Sequence, residues 1–335
     1  MTSREGLQAV AEILKGSRRI AIAAHLNPDG DCIGSALAMR LILRRMGKEA
    51  DVFDRDKVPD NMMFLAGADT VRPLSAAEGP YDVLLCVDCA DLQRIVSFSV
   101  PEQKEQFDRL LGMCGKVVQI DHHGTNPCYG DAWAVDGDAA AACVLVYDIM
   151  GLLGVSVDRE IAECLYTGIS TDTGNFLQDN TNEGALRVVA AIQGTGFSQA
   201  ELGRKLFAER RPAQVALISR ALQTLRYASD GGVTCMTLTL ADFEETGALP
   251  EDADTIVNFG RDILGVHMAM LARETAEGIK MSLRAIAPYR VNDVAKYFGG
   301  GGHAQASGCT LHGVPLQEAA DTVFLALQKA LEEQA

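Results

Sequence analysis

The chain has no excess of basic residues, since 30 Lys and Arg face 45 Asp and Glu and the formal net charge is −15. A protein that coats long nucleic acid needs a basic face to neutralise phosphates, so this class of function is not expected. No apolar run approaches the roughly 20 residues of a membrane-spanning helix. The opening residues, Met-Thr-Ser-Arg-Glu-Gly, do not contain the long apolar region of a signal peptide. We therefore expect a cytoplasmic protein without membrane contact.

Paired cysteine motifs are also scarce. The nine cysteines are scattered through apolar segments, which is typical of reduced thiols in a cytoplasm. Cys86 and Cys89 form a lone CxxC, and no second CxxC accompanies it. Buried or site-adjacent thiols are thus favoured over a zinc or redox site.

Short apolar strands alternate with amphipathic helices as far as about residue 190, which predicts an α/β domain with a parallel sheet covered on both faces. This first domain is placed at 1–193. The predicted strands are 20–24, 50–53, 83–87 and 117–120, and the predicted helices are 3–15, 33–46, 139–153, 159–165 and 182–193.

A helical connector is predicted over 194–226, and a smaller α+β domain over 227–335. The second domain begins at a turn, Ser229-Asp-Gly-Gly232. Its predicted strands are 233–240, 266–274 and 278–285, and its predicted helices are 292–298 and 315–334.

Four clusters in the first domain carry carboxylates or imidazoles. Three of them directly follow predicted strands, so their side chains would project from one edge of a parallel sheet, where open α/β sheets bind ligands. Carboxylates that converge there repel each other unless cations hold them, which predicts a pair of divalent metals. The clusters are His25-Leu-Asn-Pro-Asp29-Gly-Asp31, Asp88, Asp121-His122-His123, and Asp172 within Gly168-Ile-Ser-Thr-Asp-Thr-Gly174.

Two metals at the spacing of phosphoesterases, roughly 3.5–4 Å, need a carboxylate that bridges them. Asp88, alone at its strand end, is the candidate bridge. Nitrogen and carboxylate ligands without cysteine suit manganese better than structural zinc. The expected chemistry is two-metal hydrolysis of a phosphoester.

A glycine-rich motif near the C-terminus, Gly299-Gly-Gly-Gly-His-Ala-Gln-Ala-Ser-Gly308, is a second candidate site. Glycine backbone can approach a ligand closely, and His303 could donate to a phosphate. Arg284, on a neighbouring predicted strand, is suited to a bidentate phosphate contact. Arg261 and Asn258 are weaker candidates, in keeping with polar residues on a helix surface. The predicted substrate-binding residues are Arg284, Gly300, Gly301, Gly302, His303 and Ser307.

Over nearly its whole length the chain resembles the DHH phosphoesterase superfamily, with its four N-terminal motifs and its C-terminal glycine motif. The resemblance implies one manganese ion on His25, Asp29 and Asp88, and a second on Asp31, Asp88, His122 and Asp172. It implies that His123 helps to protonate the leaving oxygen and that Asp121 orients a ligand imidazole. It also implies an active site in the cleft between the two domains, and a homodimer formed through the first domain.

The compact two-domain length resembles the oligoribonuclease and pAp phosphatase group. That resemblance implies cleavage of RNAs of about 2–5 nucleotides to mononucleotides, in keeping with an acidic surface that disfavours long chains. It also implies release of phosphate from 3′-phosphoadenosine 5′-phosphate, which leaves AMP. Soluble c-di-AMP or pApA phosphodiesterases share this architecture and remain an alternative, as does a non-catalytic nucleotide-binding protein.

Overall fold

The computed structural model describes residues 3–228 and 231–334. The chain forms two compact units, one that runs to Glu209 and one that begins at Arg210. Each unit has its own sheet and its own apolar cores. Ser229 and Asp230 of the predicted turn lie outside the described residues.

The first unit contains a five-stranded sheet in the order β2-β1-β3-β4-β5, and every pair of neighbours in it is parallel. The predicted α/β class is therefore confirmed. The strands are β1 (Arg19–Ala23), β2 (Glu49–Phe53), β3 (Tyr81–Val87), β4 (Cys114–Asp121) and β5 (Ala132–Val135). The helices are α1 (Ser3–Gly16), α2 (Gly30–Arg45), α3 (Pro101–Gly112), α4 (Ala142–Leu152), α5 (Arg159–Asp172), α6 (Glu183–Ile192) and α7 (Gln199–Gly203), which a π-helical segment (Arg204–Ala208) follows.

Both faces of this sheet are buried. On β3, Val83 and Val87 belong to the larger core, whereas Leu84 and Cys86 belong to a smaller core on the opposite face. This division follows from the alternation of side chains along a strand. A strand that is covered on both sides needs apolar residues at consecutive positions, which is why β3 reads as a continuous apolar run.

Helix α2 begins three residues earlier than predicted. The sequence places its start at Ile33, but the helix starts at Gly30 because the side chain of Asp29 caps it by accepting from the backbone N–H of Asp31 and Cys32. Asp31 therefore lies in the first helical turn. Helix α5 in turn continues past its predicted end at residue 165 as far as Asp172.

The second unit contains a six-stranded mixed sheet in the order β10-β11-β9-β8-β7-β6, in which only β7 and β8 pair in parallel among the described strands. The predicted α+β character is confirmed. Its elements are α8 (Pro212–Gln223), β6 (Arg226–Tyr227), β7 (Val233–Leu238), α9 (Leu240–Thr246), α10 (Val257–Arg261), β8 (Met268–Thr275), β9 (Gly278–Ala285), α11 (Asn292–Tyr297), β10 (Gly301–Gly302), β11 (Ala306–Leu311) and α12 (Leu316–Gln334).

Helix α12 packs on one face of this second sheet, where Val323 and Leu327 join the core. Helices α8 and α10 cover the other face through residues such as Leu217 and Val257. Among the described residues of the whole chain, no helix has the length and apolarity that a bilayer crossing requires.

Candidate active site

The loop between β1 and α2 carries the first cluster and is held by backbone contacts on both sides. The N–H of Leu26 donates to the carbonyl of Arg94 at 2.6 Å, and the N–H of Asn27 donates to Oδ2 of Asp56 at 2.9 Å. Asn27 has a left-handed φ of 53°, a conformation that asparagine tolerates better than most residues. These contacts fix the direction in which His25 leaves the sheet edge.

His25 is buried and presents Nε2 to the carboxylates. Its Nδ1 lies 2.8 Å from the carbonyl of Leu26 and donates to it, which leaves the lone pair of Nε2 available. Nε2 lies 3.3 Å from Oδ2 of Asp88 and 3.9 Å from Oδ1 of Asp29. A metal-ligating imidazole usually has its second nitrogen held in this way.

Asp31 belongs to α2, and its fully buried side chain contacts the N-terminus of α4. Its Oδ1 accepts from the N–H of Cys143 at 3.0 Å, and its Oδ2 accepts from the N–H of Ala142. The positive end of the α4 dipole stabilises the carboxylate there. Oδ2 also lies 3.8 Å from Nε2 of His122, so Asp31 faces the same centre as the histidine.

Asp88 lies directly after β3 with a left-handed φ of 50°. For a residue other than glycine this conformation costs free energy, and such strain is commonly found at functional sites. Its two oxygens face different imidazoles, because Oδ2 lies 3.3 Å from Nε2 of His25 and Oδ1 lies 3.4 Å from Nε2 of His122. Asp88 thus stands between two potential ligand sets.

His122 and His123 follow β4 at the adjacent strand end. Nδ1 of His122 lies 3.2 Å from the carbonyl of Ala139, which again directs the lone pair of Nε2 toward the centre. Nε2 of His122 lies 3.1 Å from Oδ2 of Asp172. His122 therefore meets carboxylates from α2, from the end of β3 and from α5.

Asp172 reaches this centre from the end of α5, a helix that packs closely on α2. A Cβ atom at Gly168 would lie 2.5 Å from Oδ1 of Asp31, and one at Gly34 would lie 2.6 Å from the carbonyl oxygen of Cys164. Both positions therefore require glycine for the two helices to approach. This close packing brings Asp172 to His122, although α5 does not follow a strand of the sheet.

His123 lies beside this group and is held by Asp121. Nδ1 of His123 is 2.7 Å from Oδ1 of Asp121, and the amide of Asn126 donates to Oδ2 of the same carboxylate at 2.5 Å. On its other side, Nε2 of His123 lies 3.0 Å from Nη1 of Arg94. Asp121 is fully buried, so both of its oxygens need these partners.

Mutual repulsion and burial shift the acid–base equilibria of the cluster. Burial raises the pKa of Asp31 and of Asp172, and neighbouring carboxylates raise both further. Burial lowers the pKa of His25, but Asp88 and Asp29 outweigh this effect and raise it to about 9. Burial likewise opposes a charge on His122, whereas Asp172 and Asp88 raise its pKa to about 12. The carboxylates of this centre therefore stabilise a positive charge that lies beside them.

The donor set fits divalent metals. Nε2 of His25 and Oδ1 of Asp88 are buried and have no hydrogen-bond partner in the described part of the chain. Such atoms cost free energy unless an ion or another polar group satisfies them. Within residues 3–228 and 231–334, three groups of side chains have ligand atoms close enough to share an ion: His25, Cys32 and Asp88; Asp88, His122 and His123; and Asp31, His122 and Asp172.

Cys32 is the member of these groups that the sequence did not suggest. Its sulfur accepts from the backbone N–H of His25 at 3.1 Å. Burial raises the pKa of this thiol well above its usual range. Because the thiolate is the form that binds metals, Cys32 is better suited to supporting the His25 backbone than to ligation.

In the second unit, the glycine motif forms a hairpin. Gly302 pairs with Ser307 across β10 and β11, and the Ser307 hydroxyl donates to the carbonyl of the exposed His303 at 2.7 Å. Gly300 donates its N–H to the carbonyl of Ala295 at 2.8 Å, so this amide serves the fold. Gly301 is exposed, with open space where a side chain would be.

Arg284 lies on β9 opposite Ala306, next to this hairpin. Burial lowers the pKa of its guanidinium, and the nearby charge of Arg261 lowers it further. The carboxylate of Asp254 opposes this effect, and Arg261 itself pairs with Asp262 at 2.7 Å. Arg261, the weaker candidate from the sequence, is thus near enough to Arg284 to influence its charge.

Sequence reasoning missed Arg94 and Asn126, which both contact the Asp121–His123 pair. Each lies a few residues beyond a cluster that was identified. Asn126 comes three residues after His123, and Arg94 comes six residues after Asp88. Polar side chains in the loops just beyond strand-end ligands are the signal that would have found them.

The fold and the site together define a two-unit α/β protein with a carboxylate–histidine centre of the kind that binds divalent metals. A family model described as the DHH family, N-terminal domain, matches residues 19–169, and a DHHA1 domain model matches residues 232–333. The chain belongs to the DHH family, which confirms the resemblance found in the sequence.

Relatives and solved structures extend over nearly the whole chain. The bifunctional oligoribonuclease and PAP phosphatase NrnA of Thermus thermophilus is 35% identical over 328 residues, which cover 98% of this chain and 95% of that protein. The Bacillus subtilis protein of the same name is 28% identical over 88% of this chain and 89% of its own length. An exopolyphosphatase-related protein from Bacteroides fragilis has the same fold, with a TM-score of 0.87, 25% identity, and coverage of 98% of this chain and 96% of that one.

Proposed function

We propose that this protein hydrolyses short oligoribonucleotides of about 2–5 nucleotides to mononucleotides, since its net charge disfavours longer chains. It also converts 3′-phosphoadenosine 5′-phosphate to AMP and phosphate. The similarity to the two NrnA proteins supports both activities, because it runs through both units of the chain. Two manganese ions serve as the cofactor.

The placement of Asp88 is the observation that carries this proposal. Its two oxygens face Nε2 of His25 and Nε2 of His122, at 3.3 and 3.4 Å. A carboxylate between two imidazoles is suited to bridging a pair of cations. One ion would be held by His25, Asp29 and Asp88, and the other by Asp31, Asp88, His122 and Asp172.

The donor set of nitrogen and carboxylate oxygen supports manganese, because such ligands suit it better than thiolate-rich sites do. When bound, the two ions neutralise the carboxylates and stabilise negative charge on the reacting phosphoryl group. The carbonyl groups of Leu26 and Ala139 hold His25 and His122 in the tautomer that leaves Nε2 free for this purpose.

Hydrolysis adds water across a P–O bond, so the leaving oxygen must gain a proton. His123 is proposed to supply it from Nε2, because Nδ1 is bound to Asp121 at 2.7 Å. Asn126 completes the hydrogen bonding of Asp121, so the carboxylate keeps the imidazole oriented. General acid catalysis of this kind contributes about 100- to 10,000-fold to a rate.

The second unit is proposed to bind the terminal phosphate and base of the substrate through Arg284, the hairpin of Gly300, Gly301 and Gly302, and His303. Ser307 is proposed to support this hairpin, because its hydroxyl donates to the backbone of His303. The position of Arg284 on β9, opposite Ala306 beside the hairpin, supports a phosphate contact.

A homodimer and a cytoplasmic location complete the proposal. All nine cysteines are free thiols, which supports a reducing compartment.

A turnover assay with Mn²⁺ tests the proposal. Trimer RNA, pAp, pApA, c-di-AMP and a long RNA of about 24 nucleotides are compared at equal concentration, with chromatography of the products. Fast cleavage of the trimer together with phosphate release from pAp is the expected result. Comparable rates on the long and short RNAs would refute the length preference. A preference for c-di-AMP or pApA, with pAp untouched, would replace the proposal with second-messenger hydrolysis.

The Asp88→Ala variant is the matched negative control for this assay. It removes the candidate bridge and should abolish hydrolysis while the fold remains. Activity in the variant at the wild-type level would show that a contaminant or a different centre performs the reaction.

A further inference from the structure

Arg94 stands at the reacting centre without a carboxylate of its own. Its guanidinium is half-buried, and Nη1 lies 3.0 Å from Nε2 of His123. Among the described residues no carboxylate oxygen lies within 4.0 Å of it. Most arginines of this acidic chain form an ion pair with a carboxylate, as Arg45 does with Asp158 and Glu160. A cation that remains unpaired beside a carboxylate-rich centre is well suited to an incoming anion.

The backbone fixes Arg94 relative to the candidate ligands. Its N–H donates to the carbonyl of Asp91 at 2.9 Å, and its own carbonyl accepts from the N–H of Leu26 at 2.6 Å. Leu26 belongs to the loop that carries His25 and Asp29. Hydrogen bonds therefore hold Arg94 to this loop and to His123, which follows the neighbouring strand.

The chemistry of a guanidinium sets what Arg94 can bind. It carries five N–H donors in a planar fork, and the contact with His123 engages one of them. The remaining donors match the non-bridging oxygens of a phosphate, which arginine binds in a bidentate manner. The imidazole of His123 accepts from Nη1 in the structure, so Nε2 can face the leaving oxygen of a substrate only when the guanidinium turns away from it. A substrate phosphate provides the new partner.

On this basis, and resting on the proposed function, we infer that Arg94 is a catalytic residue whose guanidinium binds the non-bridging oxygens of the scissile phosphate and thereby releases His123. A phosphoryl group that approaches this centre is repelled by five aspartates, including Asp121. The positive charge of Arg94 offsets this repulsion next to the reacting atoms. The contact would be made by both kinds of substrate, because an oligoribonucleotide and pAp each present a phosphoester to the same centre.

Three variants test the inference in the full chain with Mn²⁺. Arg94→Gln removes the charge and the fork, and Arg94→Lys keeps the charge alone. Arg109→Gln, at an exposed position on α3 of the same unit, is the matched control. None of these changes removes the backbone contact of residue 94 with Leu26, and thermal unfolding checks that each variant folds.

Kinetics and binding are then measured separately. We expect Arg94→Gln to lower kcat/KM by about 100- to 1,000-fold on trimer RNA and on pAp, the range found when a transition-state donor is removed. Arg94→Lys should recover only part of this loss. Calorimetry with inorganic phosphate should show weaker binding to Arg94→Gln than to wild type, whereas Mn²⁺ should bind the variant as tightly or more tightly, since a cation has gone. A residue with a merely structural role would not produce this opposite behaviour.

The result that overturns the inference is equal kcat/KM and equal phosphate affinity in Arg94→Gln and Arg109→Gln. Wild-type protein that hydrolyses none of the substrates would instead refute the proposed function. In that case the phosphate-binding comparison still decides whether Arg94 binds the anion, so the two failures are distinguishable.

Discussion

Asp121 and His123 form a carboxylate–imidazole pair in which Oδ1 of the buried aspartate lies 2.7 Å from Nδ1 of the histidine. A carboxylate can only accept at neutral pH, so this contact keeps the proton on Nδ1 and leaves Nε2 for the substrate. Nδ1 of His123 also lies 3.6 Å from Oδ1 of Asp88, so the pair borders the carboxylate centre, and orienting His123 has to be distinguished from binding a metal.

Replacing Asp121 with Asn should separate these roles. The amide can donate as well as accept, so it no longer dictates the tautomer of His123, and we expect kcat to fall by about 10- to 100-fold, as for partners that orient active-site imidazoles. The measurement is steady-state kinetics at saturating Mn²⁺, with Asp108→Asn on the exposed face of α3 as the control. Loss of metal stoichiometry in Asp121→Asn would contradict this assignment, because it would make Asp121 a ligand.

Asp88 has a different expected phenotype. Asp88→Asn removes the charge between His25 and His122, and the two oxygens that face these imidazoles can no longer act as a bridge. We expect the bound Mn²⁺ to fall from two ions per chain to one or none, with loss of hydrolysis. Metal content after gel filtration, measured by mass spectrometry, gives the stoichiometry. Two tightly bound ions in Asp88→Asn would show that another residue bridges them.

Asp29 combines a structural and a chemical role that two variants can distinguish. Its Oδ1 caps α2 by accepting from the N–H groups of Asp31 and Cys32 at 3.1 and 3.0 Å. Asp29→Asn keeps the capping oxygen and loses the charge, so stability should stay near wild type while Mn²⁺ affinity falls. Asp29→Ala also loses the cap, which should cost about 1 kcal/mol more in free energy of unfolding. Urea unfolding of both metal-free variants measures this difference. Equal Mn²⁺ affinity in wild type and Asp29→Asn would leave Asp29 as a cap alone.

The pKa shifts of the histidines predict how pH changes the stability of the metal-free protein. The pKa of His25 is raised from 6.5 to about 9, so its protonation stabilises the folded state fully below pH 6.5, and this contribution is lost as pH rises through about 9. The raised pKa values of Asp31 and Asp172 act in the same direction, because both carboxyls are more stable protonated when folded. Stability without metal should therefore decrease from pH 6.5 to pH 9.

Metal binding should reverse this trend, since ligands must lose their protons to bind a cation. Thermal unfolding with EDTA and with Mn²⁺ at pH 6.5, 7.5 and 9 measures it, and the increase in Tm from Mn²⁺ should be largest at pH 9. The His312→Gln variant is the control, because this histidine is exposed in the second unit. A metal-induced increase in Tm that does not change with pH would contradict the assigned ligands.

The sequence predicted the strand ends well because their chemistry is local. Asp88 and Asp121 each follow an apolar run long enough for a buried strand, and parallel strands bring their carboxyl ends to one edge. Asp172 could not be placed in this way. It comes from a helix, and it meets His122 because glycines at positions 34 and 168 allow α5 to pack closely on α2.

Other elements escaped prediction because tertiary packing defines them. The four apolar residues of β5 are too few to indicate a strand by themselves, and the strand depends on its pairing with β4, for example of Ile120 with Ala134. Helix α3 has Pro101 at its first turn and buries only Phe107 and Leu110. Arg94 was missed for a similar reason, since its contact with His123 joins two loops that are distant in sequence.

The glycine motif allows a final prediction that separates folding from substrate binding. A Cβ at Gly300 would overlap the carbonyl of Gly308 and lie 2.6 Å from Cβ of Cys309, whereas nothing lies within 4 Å of one at Gly301. Gly300→Ala should therefore lower the free energy of unfolding by about 1–3 kcal/mol, the usual range for overpacking. Gly301→Ala should change it by no more than about 0.5 kcal/mol.

Activity then assigns the role of the exposed glycine. If Gly301 lets the backbone approach the substrate, Gly301→Ala should raise KM for trimer RNA while the unfolding temperature stays at the wild-type value. Gly313→Ala is unsuitable as a control because its φ is 72°, but Gly16→Ala has open space and lies in the other unit. An unchanged KM in Gly301→Ala would show that the glycine motif only shapes the hairpin. Substrate recognition in the second unit would then depend on Arg284 and His303, because their side chains would be the remaining phosphate donors of that site.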